Sequence, residues 1–446
     1  MDQTESKLKK PSIDRRRFVQ SVAAVGAGMA MVHPTWVEAQ AGSDDLKIAI
    51  IGAGSQGRNL IINCLRIPGL YFAAVCDIWP YHQKYAANIL KKYDQPVNVY
   101  ADYRHMLAEE SDLDAVIVAS PDWMHAPHTM AALDSGHHVY CEKEMSNKID
   151  DARQMVLSAR RTGKHLQIGH QRRSNLRYHH GIKLIDEDKV LGRITHVNGQ
   201  WNRAGRLEQG WPKSKALDQE TLEKYGYKSM DQLRNWRWYR KFAGGPMADL
   251  GSHQVDVFNW FLKTPPKSVL AAGGQENYPD SEWYDHVIAI YEWQTDVGMV
   301  RGFYQVLNTT SHGGFYETFM GDQGSMVISE DTRKGHLFRE IQAKRRDWED
   351  VSEKVEAMGK EAVTLKLGET LDPNGEKSEE GQKMLDESKK PVHQLHLENF
   401  FSAIRNDTPL SCPPEVGFET AVSVLRANDA VSTACRVELA PENFRV

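Results

Sequence analysis

The amino-acid sequence predicts an α/β fold whose first half is a parallel, doubly wound sheet. Two observations carry that prediction. From Leu46 onward short apolar runs alternate with amphipathic stretches of helical period, and the first run passes directly into the glycine-rich loop "GAGSQG". Alternation of this kind builds parallel strands joined by crossover helices.

Before that pattern begins, residues 1–41 read as a separate leader. Arg15, Arg16 and Arg17 precede Phe18 and a small apolar run over 22–32, and Ala39, Gln40 and Ala41 offer a small-residue cleavage site. The run is too short to span a bilayer. A basic stretch, a short apolar core and a cleavage site make an export signal, and the arginines before Phe18 resemble a twin-arginine signal. The expectation is cleavage near Ala41 and a periplasmic or exported protein with no membrane span.

The stretch 46–52 ("LKIAIIG") then reads as a buried strand and 56–66 as an amphipathic helix. Further strands are expected over 71–77, 114–120 and 137–141, separated by helices over 81–93, 125–134 and 150–162. Within the loop, Gly52 permits the tight turn, Gly54 lets the backbone approach a pyrophosphate, and Gly57 lets helix and strand pack closely. The helix start, with Ser55 and Gln56, offers backbone N–H groups to phosphate. Asp77 ends the next strand twenty residues after Gly57. An acid there accepts hydrogen bonds from a ribose diol and repels a 2′-phosphate, which points to NAD. The expected division is 42–170 for this Rossmann unit and 171–446 for the remainder.

Composition removes other classes. The chain of 446 residues has a formal charge of −5. The leader carries six Lys/Arg and four Asp/Glu, so the rest is near about −7, with no basic block to meet nucleic acid. Cys64, Cys76, Cys141, Cys412 and Cys435 are unclustered; they show neither metal spacing nor a disulfide framework, and no metal site is expected. The stretch 367–390 is charged and aperiodic and reads as an exposed excursion.

Three further stretches narrow the reading: "ASPDWMHAPH" at 119–128, "VYCEKEMS" at 139–146 and "GGPMADLGSHQVDVFNW" at 244–260. With "GAGSQG" they resemble the glucose–fructose oxidoreductase/inositol dehydrogenase/rhizopine catabolism (Gfo/Idh/MocA) family of sugar-type dehydrogenases, in an exported subgroup. The likeness runs from about Leu46 to the end and includes closing helices at 397–431. It implies a second, α+β unit with an open, mostly antiparallel sheet that supports the substrate and often the oligomer contact. The family's strand-end lysine matches Lys143, and its Asp and His match Asp249 and His253. Glu144 departs from the pattern, standing where the family carries Pro.

The chemistry of these groups stands by itself. Oxidising a secondary alcohol needs a base near neutrality, for which His253 is the natural choice. In a helix Asp249 and His253 share a face at i, i+4, so the carboxylate either orients the imidazole or binds a substrate hydroxyl. Lys143, at the carboxyl end of a parallel strand, can polarise the reacting oxygen. Asp256 reads as structural. The cofactor wall is expected from Ser120, Pro121, Asp122, Trp123 and His125 in a loop after a strand, with Glu142, Lys143 and Gln171. The substrate wall is expected from Arg172, Asn202, Trp238, His253, His312 and Tyr316, and an aromatic-rich set with Trp201, Arg203 and Trp236 suits the C–H faces and hydroxyls of a pyranose.

The resulting expectation is an NAD-dependent oxidoreductase acting at a secondary hydroxyl, C3, of a pyranose sugar or glycoside, as a homo-oligomer that holds NAD tightly because the export compartment offers no free pool. Two alternatives stand beside it: a redox-neutral NAD-dependent glycosidase, and a non-catalytic sugar- or nucleotide-binding protein, against which the retained Lys143, Asp249 and His253 argue.

Overall fold

The computed structural model describes residues 45–205, 208–346, 349, 353–357, 359–365 and 379–446. The leader at 1–41 and residues 367–378 of the charged stretch lie outside the described residues. The remainder of that stretch includes a helix, Glu379–Ser388, where an excursion without regular structure was expected.

Six parallel strands, β1 (Leu46–Ile51), β2 (Leu70–Cys76), β3 (Asn98–Tyr100), β4 (Ala115–Val118), β5 (His138–Cys141) and β6 (Leu166–Ile168), form a sheet in the order β3-β2-β1-β4-β5-β6. Helices α1 (Ser55–Cys64), α2 (Pro80–Lys91), α3 (Tyr103–Glu109), α4 (Asp122–Asp134) and α5 (Ile149–Thr162) cross between them. All four residues of β4 are buried, which is why it reads as an unbroken apolar run rather than an alternating one. The strand order reverses between β1 and β4, and ligands of such sheets bind at the carboxyl ends there. α4 begins three residues earlier than expected. Asp122, Trp123 and His125 are therefore in its first turns and not in a loop; Pro121 caps the helix from the extended region, where proline is at ease before a helix.

A second sheet has ten strands. β7 (Ile194–Asn202), β8 (Ser268–Gly274), β9 (His286–Thr295), β10 (Gly298–Leu307), β11 (Phe315–Gly321), β12 (Gly324–Ile328), β13 (His336–Arg339), β14 (Lys354–Ala357), β15 (Lys360–Thr364) and β16 (Val437–Glu438) lie in the order β14-β15-β13-β12-β11-β7-β10-β9-β8-β16. The pair β7/β10 is parallel and the other pairs are antiparallel. The α+β architecture with a mostly antiparallel sheet is thus present. One face of this sheet is covered by helix α9 (Ser252–Leu262; α6, Leu176–Asp186, α7, Gln219–Lys224, and α8, Met230–Arg234, precede it), whose Phe258 and Phe261 meet Trp293 and Phe319. The other face is open and carries Leu270, Ile288, Ile290 and Phe303 exposed.

After Glu379–Ser388 (α10), the chain returns to the first unit. Leu397, Phe400 and Phe401 of α11 (Val392–Asn406) pack with Ile48, Ile50, Leu60 and Tyr140, and Phe418, Ala421 and Val422 of α12 (Pro414–Thr433) pack with Met155 and Ile168. Each large side chain buried in this way contributes roughly 1.5–3 kcal/mol relative to leaving it exposed. Cys64, Cys76, Cys141 and Cys412 are buried and free, and Cys435 is exposed and free. Among the described residues no helix is long and apolar enough to cross a membrane.

Candidate active site

The glycine loop joins β1 to α1 at the sheet's switch point. Gly52 has φ +95°, a conformation closed to most side chains, and a Cβ on Gly57 would lie 1.9 Å from the Gly52 carbonyl oxygen. Gly54 differs: the nearest heavy atom to a Cβ there is His82 Cε1 at 3.9 Å, so this side of the loop is open. Gly54 precedes α1 without a side-chain cap, leaving the first N–H groups of Ser55, Gln56 and Gly57 to a phosphate. Asp77 follows β2 beside this opening. One carboxylate oxygen accepts from Ala53 N at 2.8 Å and lies 3.3 Å from His82 Nδ1; the other accepts from Trp79 N at 2.8 Å. Gln56 donates to Glu142 at 2.9 Å, tying α1 to the end of β5. An open glycine cradle, an uncapped helix start and an acid at the next strand end fit the pyrophosphate and ribose of NAD.

Lys143 follows β5, and the Lys143–Glu144 peptide is cis. Its ammonium donates to the Asp249 carbonyl and lies 3.6 Å from the Asp249 carboxylate. Asp249 sits in a wide π turn, Met247–Gly251, that leads into α9. The expected continuous α-helix is therefore broken at the site, and Asp249 does not orient His253. Its carboxylate accepts from Arg237 Nε at 3.0 Å instead. Burial pushes this carboxyl's pKa up, but Arg237, Lys143 and Arg203 outweigh burial and hold it well below the usual carboxylate range. His253 is 7% exposed, stacked on Trp201 with ring centroids 5.2 Å apart, and its Nδ1 has no hydrogen-bond partner. Burial, then the charges of Lys143, Arg172 and His170, push its pKa well below 6.5. The shift favours the neutral imidazole, the protonation state a proton acceptor requires.

Two buried carboxyls lie nearby. Asp122 is raised to about 7, by burial first, against the pull of Arg237. Glu144 is raised to about 8 by burial; one of its oxygens accepts from Met145 N at 2.7 Å and the other has no partner.

Several expected contacts are redirected. His125 is buried, with its ring nitrogens 2.7 Å from the carbonyls of Ser120 and Glu144. It ties two strand ends together and does not line an opening. The Ser120 hydroxyl is taken by His128 at 2.9 Å. Trp123 donates to Tyr227 and packs on Phe242, joining the two units. Gln171 reaches Glu330 at 3.4 Å. Arg172 is not part of a substrate wall: it is 1% exposed and paired with Glu317 and Glu330 beneath Trp201 and Phe315. Arg173 pairs with Asp256 at 2.9 Å inside the protein.

Strand alternation decides two more. Phe315 is paired with Trp201, and Tyr316 with Gln200. Successive side chains point to opposite faces, so Trp201 and Phe315 face His253 while Tyr316 and Asn202 face away. Tyr316 donates to Gln200, and Asn202 donates to the His312 carbonyl at 2.8 Å. His312 is exposed in the turn that covers them. Trp238 stays at the site, lining a cleft of about 460 Å³ with Arg203, Arg237, Asp249, Tyr278, Trp283 and Asn308. The hairpin residues Tyr278 and Trp283 were not anticipated. The only signal for them was the aromatic pair Trp283–Tyr284 after the turn residues Pro279–Asp280. Nor was the grouping of Glu276, Asp285 and His286, whose ligand atoms come within 4.8 Å of one another. His286 lies 2.6 Å from the Asp285 carboxylate, which also accepts from Asn277 N.

Fold and cradle define a dinucleotide-binding Rossmann unit joined to an α+β unit. Residues 46–170 match the model described as "Oxidoreductase family, NAD-binding Rossmann fold", and residues 182–439 match that family's C-terminal alpha/beta domain. The chain belongs to this Gfo/Idh/MocA family. It is 30% identical over 238 residues to D-glucoside 3-dehydrogenase of Escherichia coli, covering 52% of this chain and 59% of that protein. It is 34% identical over 174 residues to a glycosyl hydrolase family 109 protein of Parabacteroides distasonis, covering 34% and 37%. The chain thus spans only part of these curated relatives. Among solved structures it resembles a levoglucosan dehydrogenase in complex with NADH, with a TM-score of 0.64, 18% identity and coverage of 89% of this chain and 99% of that one. At that identity the likeness carries the fold.

Proposed function

We propose that this protein is an NAD-linked pyranoside dehydrogenase that oxidises a secondary ring hydroxyl, at C3 of a glucoside. The observation that carries the reading is the meeting of Lys143, Asp249 and the neutral His253 at the strand ends beside the glycine cradle. NAD, when bound, supplies the hydride acceptor. The chain's own groups handle the proton. The Asp249 carbonyl and carboxylate anchor the Lys143 ammonium, which steadies negative charge on the substrate oxygen. His253 takes the hydroxyl proton on a ring nitrogen. Trp201 fixes the imidazole plane by stacking. The similarity to D-glucoside 3-dehydrogenase supports C3 as the position.

The similarity to a glycosyl hydrolase family 109 protein favours a second reading. In it the same oxidation acidifies the neighbouring C–H, the glycosidic group is eliminated, and water addition and reduction complete a redox-neutral hydrolysis.

The resemblance of residues 15–41 to a twin-arginine signal supports an exported enzyme loaded with NAD before translocation, and the exposed apolar sheet face supports self-association. Protein purified without added nucleotide should release close to one NAD per chain. Incubation with a glucoside should then yield a keto-sugar for the dehydrogenase and a free sugar for the glycosidase. Lys143→Met or His253→Ala should keep the dinucleotide and lower turnover on the order of 10²–10⁴-fold. Near-normal turnover in both variants overturns the assignment.

A further inference from the structure

In the cleft beside Asp249 that one carboxylate faces three cations, Arg237, Lys143 and Arg203. Arg203 and Arg237 line it together with Asp249 and Asp285. Asp249 already serves Arg237 at 3.0 Å and Lys143 at 3.6 Å. Asp285 is occupied by His286 and by the backbone N–H groups of Asn277 and Tyr278. Arg203 has no carboxylate of its own. Its Nε donates to Asn308 at 2.6 Å, and among the described residues its two terminal nitrogens make no hydrogen bond or ion pair. This fork lines the open cleft, where a ligand can take the place of water as its partner. Arg203 follows the end of β7 and lines the same cleft as Asp249.

We propose that the substrate carries an oxyanion, a ring carboxylate as in a uronoside or a sulfate or phosphate ester, which the free fork of Arg203 grips while the reacting hydroxyl lies at Lys143 and His253. The inference rests on the pyranoside reading above and names its substrate class. The two terminal nitrogens of an arginine match two oxygens of such a group. Trp238, Trp283 and Tyr278 supply the aromatic wall against which the ring C–H face lies.

The test uses the protein as purified, with methyl glucoside, methyl glucuronide and the 6-sulfate and 6-phosphate of methyl glucoside, measuring turnover and, separately, the ligand-induced shift in Tm. At least one anionic glycoside should exceed the neutral one in kcat/KM by roughly 10–100-fold, the worth of a charge-assisted contact, and the ranking among the three identifies the group. Arg203→Gln should bring the anionic-to-neutral ratio close to one, with Arg203→Lys between. Preferential oxidation of the neutral glucoside, or a ratio unchanged by Arg203→Gln, overturns the inference and leaves the dehydrogenase reading standing. If none is turned over, the dehydrogenase reading fails. The Tm shift then decides this one: an anion-specific shift lost in Arg203→Gln upholds it, and equal shifts overturn it.

Discussion

Asp77 and Glu144 show how a single carboxyl is set by its surroundings. Asp77 stands at a strand end with one oxygen turned to the cradle's Ala53 N–H and the other to the Trp79 N–H before α2, where a ribose diol would also meet it. Asp77→Ala should weaken NAD binding by roughly 10–100-fold, the loss of charge-assisted hydrogen bonds, and relax discrimination against NADP; titration of cofactor-stripped protein with both nucleotides measures it. Glu144 is 1% exposed and its pKa is raised to about 8, above the value of about 4.3 expected in the unfolded chain. A carboxyl raised on folding contributes stability that is full below the unfolded value and is lost as pH climbs through the folded one. Between about pH 5 and pH 8 the native protein should therefore lose stability through this group. Glu144→Gln cannot ionise, so its Tm should fall less steeply over that interval than the parent's; parallel Tm profiles would show that the carboxyl ionises without cost.

At the scale of elements, the β1–α1 junction depends on close approach of two backbones. A Cβ at Gly57 would meet the Gly52 oxygen at 1.9 Å, which no side-chain movement relieves. Gly57→Ala should displace α1 from the strand end, lower Tm and abolish the retained dinucleotide, read by the absorbance of the purified protein. A variant that keeps one NAD per chain would show that the cradle tolerates the shift. The π turn at Met247–Gly251 is a second element-level device. An unbroken α-helix would align Asp249 with His253; the wider turn leaves Asp249 with Arg237 and Lys143, and such turns concentrate at functional sites.

For the whole molecule, the open face of the ten-stranded sheet sets the expected assembly. Leu270 is paired with Ile290, and Ile290 with Phe303, so these exposed side chains form one row across three strands. An apolar row on an open sheet marks an interaction surface, and a second copy of the same face covers it in the self-association proposed above. Ile290→Lys should reduce the molar mass measured by light scattering to that of a single chain while leaving the bound dinucleotide in place. An unchanged mass would place the contact elsewhere.

The parallel sheet was legible because its elements are local. Apolar runs of strand length, helical period and a glycine loop report backbone conformation residue by residue, and the strand-end positions of Asp77 and Lys143 follow from them. Short α3 and β3 carry too few residues for a period to show. The substrate wall was less legible, because membership depends on which face of a strand a residue occupies and on what pairs with it first. Tyr316 and Asn202 turn away from His253 by alternation, and Arg172 is consumed by Glu317 and Glu330, which lie more than 140 residues further along the chain. The sequence by itself determined the cradle and the cofactor, since these sit in contiguous motifs, and it named Lys143, Asp249 and His253 as the candidate reacting centre. Only the tertiary structure decided that α11 and α12 close the nucleotide unit, that Arg237 and not His253 claims Asp249, and that Arg203 spends only its Nε on a hydrogen bond among the described residues. Those outcomes are competitions among groups distant in sequence, and burial, charge and register settle them only once the chain has folded.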